Sequence, residues 1–269
     1  MLFEGTLAFK HHPTSVIIGE IIKNLYGVFL MSGHSKWSTI KREKGAKDAK
    51  RGAIFTKIGS QIAIAARSGT DISMNSALQM AIEKAKQANM PAANIQRAID
   101  RAADKNAAAL EETTYEAMGP GGVGIIIETA TDNKNRTFPE VKNALAKNGG
   151  RIADAGSVMF QFTRKGVINV SATGEDALLT VLDAGAEDAI EEEGEMIVYT
   201  DQKDLAKVRT AIMEAGLTVT GAELQYVPNN TVVIDNVEQA EKVLKVMDAL
   251  DDLDDVTSVH TNADITADV

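Results

Sequence analysis

The chain has 269 residues, 44% of them hydrophobic and only 4% aromatic, so its cores are built mainly from Ala, Val, Ile and Leu and its length predicts two or three domains. It contains no cysteine, which excludes disulfides and thiolate metal sites and fits a reducing compartment. The formal net charge is −10, yet residues 31–105 hold 14 Lys/Arg against six Asp/Glu while 106–269 hold 12 against 30, so a basic module is joined to an acidic body.

Residues 1–30 end in an apolar run from Val16 to Leu30 that Glu20 and Lys23 interrupt. The run is too short and too charged to span a bilayer and makes a poor secretory segment. It reads either as a short amphipathic helix or as an extension that is not part of the native protein. Met31 directly before the next motif favours the second.

That motif, Gly33-His34-Ser35-Lys36-Trp37, runs on into a stretch dense in cations around the only tryptophan. A polyanion is the expected partner, with nucleic acid leading. Lys36, Lys41, Arg42, Lys44, Lys47, Lys50, Arg51 and Lys57 are candidates to neutralise phosphates. Trp37 fits a stacking residue or a core anchor equally well. His34 has no second histidine at metal-ligand spacing and fits a phosphate donor on a glycine-flanked arm.

From Ser35 to about Asn106 the pattern is helical. Phe55, Ile58, Ile62 and Ala65 recur at three- and four-residue intervals, as do Met74, Ala77, Leu78, Ala81, Ile82 and Ala85. A third helix follows Pro91 with Ile95, Ala98, Ile99 and Ala102 on one line. On a helix reaching back to Lys47, Lys47, Lys50, Arg51 and Lys57 share about a third of the circumference. Gly52 is a possible break. Residues 106–112 read as a connector.

After Thr113, strands and helices alternate. Strands are predicted at 123–130, 157–162 and 167–170, and a helix at 136–147 turns Phe138, Val141, Ala144 and Leu145 inward. A helix at 175–184, an acidic hairpin around Glu191-Glu192-Glu193-Gly194 with its second strand at 196–200, a helix at 203–215 and a strand at 222–227 complete a βαββαβ-like unit. A helix at 237–250 and a strand at 256–260 end the chain. Gly119-Pro120-Gly121-Gly122 precedes a strand, so it predicts a tight turn rather than a phosphate loop. Asp132-Asn133-Lys134-Asn135-Arg136-Thr137 predicts a helix cap, with Arg136 a secondary nucleic-acid contact. The acids at 187–195 and Asp251, Asp252, Asp254 and Asp255 predict solvated surface.

The element count predicts an α+β chain: a basic helical nucleic-acid-binding domain at 31–110, a discontinuous α+β domain formed by 111–165 and 232–269, and an acidic α+β domain, 166–231, inserted into it. Both α+β domains are expected to be ferredoxin-like in type. No metal cluster, Walker motif or activated nucleophile stands out, so a binding protein without cofactor is expected rather than an enzyme. Contacts to protein are expected, if anywhere, from the acidic domains.

Four motifs in order carry a resemblance: Met31-Ser32-Gly33-His34-Ser35-Lys36-Trp37, Asp48-Ala49-Lys50-Arg51-Gly52 followed by Ile54-Phe55-Thr56-Lys57, Gly119-Pro120-Gly121-Gly122, and Asp132 to Thr137. Together they resemble the YebC/PmpR-type family of probable transcriptional regulators, which includes mitochondrial translational activators of cytochrome oxidase subunit one. The resemblance runs from Met31 essentially to the C-terminus. It implies a helical domain and two α+β domains, the third inserted in the second, in a soluble, cytoplasmic, non-enzymatic nucleic-acid-binding protein. DNA-binding regulation of transcription is the first function it implies; ribosome-associated assistance of translation through proline-rich stretches, with ribosomal RNA or tRNA as target, is the alternative.

Overall fold

The computed structural model describes residues 48–103, 109–192, 194–267 and 269. Three helices come first: α1 (Asp48–Ala66), α2 (Ser76–Gln87) and α3 (Ala92–Ala103). Ile58, Ile62 and Ala66 form a line at four-residue spacing on α1 and pack against Leu78 and Ile82 of α2 and Ile95 and Ile99 of α3. Gly52 does not break α1. Asn75 fixes where α2 begins: its side-chain oxygen accepts from the Leu78 N–H at 3.0 Å, while its amide donates to the carbonyls of Ala65 and Gly69 at 2.8 and 2.7 Å. Met74, expected on the apolar line, therefore falls outside the helix and is 85% exposed.

The alternating region begins earlier than expected, with β1 (Glu111–Met118) inside the presumed connector. It pairs with β2 (Gly124–Thr131), followed by α4 (Lys134–Lys147) and the short β3 (Arg151–Ile152). Then come β4 (Phe162–Val170), α5 (Glu175–Asp183), β5 (Asp188–Glu192), β6 (Glu195–Asp201), α6 (Leu205–Glu214) and β7 (Val219–Pro228). The chain ends with β8 (Val232–Ile234), α7 (Val237–Asp251), β9 (Val256–Thr261) and β10 (Ala263–Ile265).

Two four-stranded antiparallel sheets result, in the orders β3-β1-β2-β9 and β5-β6-β4-β7, and β8 pairs with β10 in parallel. The second sheet is a βαββαβ unit whose first strand lies between its third and fourth, a ferredoxin-like order. The first departs from that expectation. Its two central strands are consecutive and joined by a hairpin, whereas a ferredoxin-like unit sets strands from its two halves side by side. Its outer strand β9 comes from the end of the chain, 125 residues after the end of β2 if one counts from Thr131 to Val256.

The hairpin turn needs its glycines. Gly121 and Gly122 have φ of +77° and +79°, and a Cβ on Gly121 would lie 1.8 Å from Nε2 of Gln239. β2 is apolar on both faces because both are covered. Ile125 and Ile127 join Val141, Leu145, Val243 and Met247 of α4 and α7, while Ile126 meets Val158 and Phe162. Phe138, expected to face inward on α4, is 40% exposed and rests against Tyr115 with ring centroids 5.7 Å apart. Two strands expected at 157–162 and 167–170 are instead one strand, β4, preceded by a 3-10 turn at Met159–Gln161. No described helix is long and apolar enough to cross a membrane.

Candidate nucleic-acid interface

His34, Lys36, Trp37, Lys41, Arg42, Lys44 and Lys47 lie outside the described residues. Lys50 is in the first turn of α1, and Arg51 beside it is exposed. The fully buried positions of α1 begin only at Lys57 and Ile58, so its first turns carry the end of the basic stretch beyond the packed core.

Lys57 does not belong to that surface. It is buried, and its ammonium donates to the backbone carbonyl of Asp251 and approaches Asp251 Oδ1 at 3.4 Å. Asp251 is the last residue of α7, whose terminal carbonyls lack helical partners and carry the negative end of the helix dipole. Lys57 is on the helix that carries Lys50 and Arg51, but α7 ends against this point of α1 and recruits the lysine as a cap.

Arg136 also has an internal partner. Asn133 caps α4, accepting from the Arg136 N–H at 3.2 Å, and the guanidinium donates to both Asp255 oxygens at 2.9 and 2.7 Å and to Asp132 at 3.3 Å. Asp255 also accepts from Thr131 and Thr137 at 3.0 and 2.6 Å. Burial works against the Asp255 charge, but bonds from Thr137, Arg136 and Thr131 prevail and hold its carboxyl below the usual range. Arg136 keeps 47% of its side chain exposed. Asp251 and Asp255 are thus fold partners rather than parts of a merely solvated run.

Other cations of the helical unit tie it to the sheets. Arg67 donates to the Leu110 carbonyl at 2.6 Å, Arg101 lies 3.6 Å from Asp132, Lys84 pairs with Glu223 at 2.6 Å, and Arg209 of α6 reaches back to Glu83. Where α1 and α2 meet both sheets they leave a cleft of about 350 Å³. In its lining Arg164 sits 3.6 Å from Glu128 and over the Tyr226 ring, and Glu128 is also 2.9 Å from Nε2 of the buried His260. Glu223 is driven upward by burial, yet Lys84 and Gln225 pull its carboxyl down to about 2. No local motif marks these residues, because their partners stand more than 30 positions away in sequence and only the folded chain joins them.

Comparison with known proteins covers both parts of the chain. Residues 35–105 match the TACO1/YebC N-terminal domain and residues 110–263 match the TACO1/YebC second and third domain. A probable transcriptional regulatory protein of Moorella thermoacetica is 47% identical over 246 residues, covering 89% of this chain and 98% of that protein. One from Chlorobaculum tepidum is 47% identical over 245 residues, covering 89% and 97%. The crystal structure of a conserved hypothetical protein from Aquifex aeolicus superposes with a TM-score of 0.77 at 38% identity, over 84% of this chain and 96% of that one.

Proposed function

The chain belongs to the TACO1/YebC family, and from that premise we propose that it is a non-enzymatic, cytoplasmic nucleic-acid-binding regulator of transcription whose target is DNA. The observation that carries the reading is the burial pattern along α1, which buries Ile58, Ile62 and Ala66 and leaves Arg51 exposed in the turns before them, where the cationic stretch enters the helix. Lys36, Lys41, Arg42, Lys44, Lys47, Lys50 and Arg51 supply phosphate contacts, His34 a donor and Trp37 a stacking face. Arg136 is a peripheral contact, and Lys57 leaves the set. The names of the relatives support regulation.

In the same reading, 111–165 and 232–269 act as one discontinuous domain and 166–231 as its acidic insert, which the sheet orders support. The 166–231 segment carries 13 Asp/Glu against three Lys/Arg, so it repels a polyanion and orients the basic helix toward it. Binding to duplex DNA and to structured RNA, followed over a salt series, tests the function. The expected result is a steep loss of affinity with salt and tighter binding to DNA. Preference for RNA would replace transcription with the translational role, and a flat salt dependence would remove the basic interface itself.

A further inference from the structure

We propose that Phe160 is a stacking platform for an unpaired nucleobase, with Arg151 on the same face of the first sheet. The proposal rests on the nucleic-acid reading and names the form of target it serves.

Phe160 is 71% exposed, on the 3-10 turn that leads into β4. It is the most exposed phenylalanine among the described residues, and a phenyl ring left in water forgoes a burial gain that a stacked partner would recover. The segment beneath it is held firmly. The buried Glu116 carboxylate accepts from the backbone N–H groups of Gly156, Val158 and Met159 at 2.5, 2.7 and 2.7 Å. On the other side, Asn229 donates its backbone N–H to the Gln161 carbonyl at 2.7 Å and its side-chain amide to the Phe160 carbonyl at 3.3 Å. Val158 and Phe162, two residues either side, are buried against Ile126. The ring is therefore presented from a braced turn, and little ordering remains to oppose binding.

Charge decides between a base and a protein pocket. Residues 142–165 hold Lys142, Lys147, Arg151, Arg164 and Lys165 against Asp154 alone, within a C-terminal part that is otherwise strongly acidic. Arg164 and Lys165 have carboxylate partners. Lys142, Lys147 and Arg151 are exposed and make no ion pair among the described residues; the two lysines are on α4, which covers the other face of β2, whereas Arg151, paired with Met118, is on the face that Val158 and Phe162 cover. The residues bonded around the turn, Ser157, Gln161 and Asn229, are polar. An aromatic face with polar neighbours and an exposed arginine on the same face of the sheet suits a base on a phosphate backbone better than an apolar protein surface.

The test measures binding of the full chain to a mixed-sequence single-stranded RNA 12-mer, the same sequence as single-stranded DNA, and each as a duplex. Phe160→Leu keeps the apolar bulk and removes the aromatic face, and Phe160→Tyr restores it. Phe160→Leu should weaken single-strand binding by about 5- to 100-fold, leave duplex binding and the thermal midpoint unchanged, and Phe160→Tyr should bind as the native chain does. The RNA and DNA arms show which strand supplies the base. Arg51→Glu serves as control. If it weakens binding while Phe160→Leu changes nothing, or if Phe160→Leu lowers single-strand and duplex binding equally, the stacking proposal fails and the basic interface stands. If the native chain binds no probe, both fail.

Discussion

The first turn of α1 and the same helix two turns later use cations in opposite ways. Arg51 is exposed at the end of a stretch dense in Lys and Arg, whereas Lys57 is buried against the end of α7. Arg67, Lys84 and Arg101, like Lys57, bond to residues beyond the three helices. Positive charge in the helical unit therefore has two jobs. In the proposed function part of it is offered to nucleic acid, while part fastens the unit to the acidic body, so a count of Lys and Arg overstates the binding surface.

The largest expected effect tests the outward half. Changing Lys47, Lys50 and Arg51 together to Glu should lower nucleic-acid affinity by on the order of 100-fold at moderate salt. The thermal midpoint should hold, since Arg51 lies outside the core; an unchanged affinity would mean that the contact surface is elsewhere. The inward half is tested by Lys57→Met. Removing the cap on Asp251 should cost about 1–3 kcal/mol in denaturant unfolding, with the salt dependence of binding untouched. A fall in that salt dependence without loss of stability would return Lys57 to the interface.

Arg136 sharpens the comparison because it is both braced and half exposed. Arg136→Gln should cost about 1 kcal/mol, because three carboxylate contacts are lost, and should weaken binding no more than a few-fold. A larger binding loss with full stability would make Arg136 a primary contact. The smallest effect concerns Glu223, whose carboxyl is held at about 2. Because the folded value lies below the ordinary one, its contribution is present above the normal carboxylate range and is lost as pH falls from there toward the folded value. The Lys84–Glu223 pair is about two-fifths exposed, so screening limits it to roughly 1 kcal/mol or less. Glu223→Gln should remove that share of the acid-induced loss in a pH series of unfolding midpoints. An identical acid limb in the variant would show that the pair does not fasten α2 to β7.

Helices and the βαββαβ unit were legible because their apolar residues keep a regular period, as Ile58, Ile62 and Ala66 do. β1 was hidden because Glu111 and Glu112 read as the end of a polar connector and Thr113, Thr114 and Glu116 interrupt any apolar run after them. One of them, Glu116, is in fact a buried anchor for the Phe160 turn. The Thr163-Arg164-Lys165-Gly166 stretch looked like a gap between strands. Its cations find Glu128 and Glu187, and Gly166 leaves room for Leu205, whose Cβ would be 2.9 Å from an added Cβ, so the strand continues. The cationic stretch was plain in the letters, but which cations are paired within the fold depends on Asp251, Asp255 and Glu223, more than 100 residues distant from Lys57, Arg136 and Lys84. Such pairings have no local signature.

The most direct test of the outward basic surface is crosslinking and sequencing of nucleic acid bound in cells, with the native chain and the Lys47/Lys50/Arg51→Glu variant run side by side. Discrete DNA sites recovered with the native chain and lost with the variant are the predicted result. Recovery of ribosomal RNA or tRNA with the same loss would keep the surface and contradict DNA as the target. Equal recovery from both, or none from either, would contradict the claim that this end of α1 is where the protein meets nucleic acid.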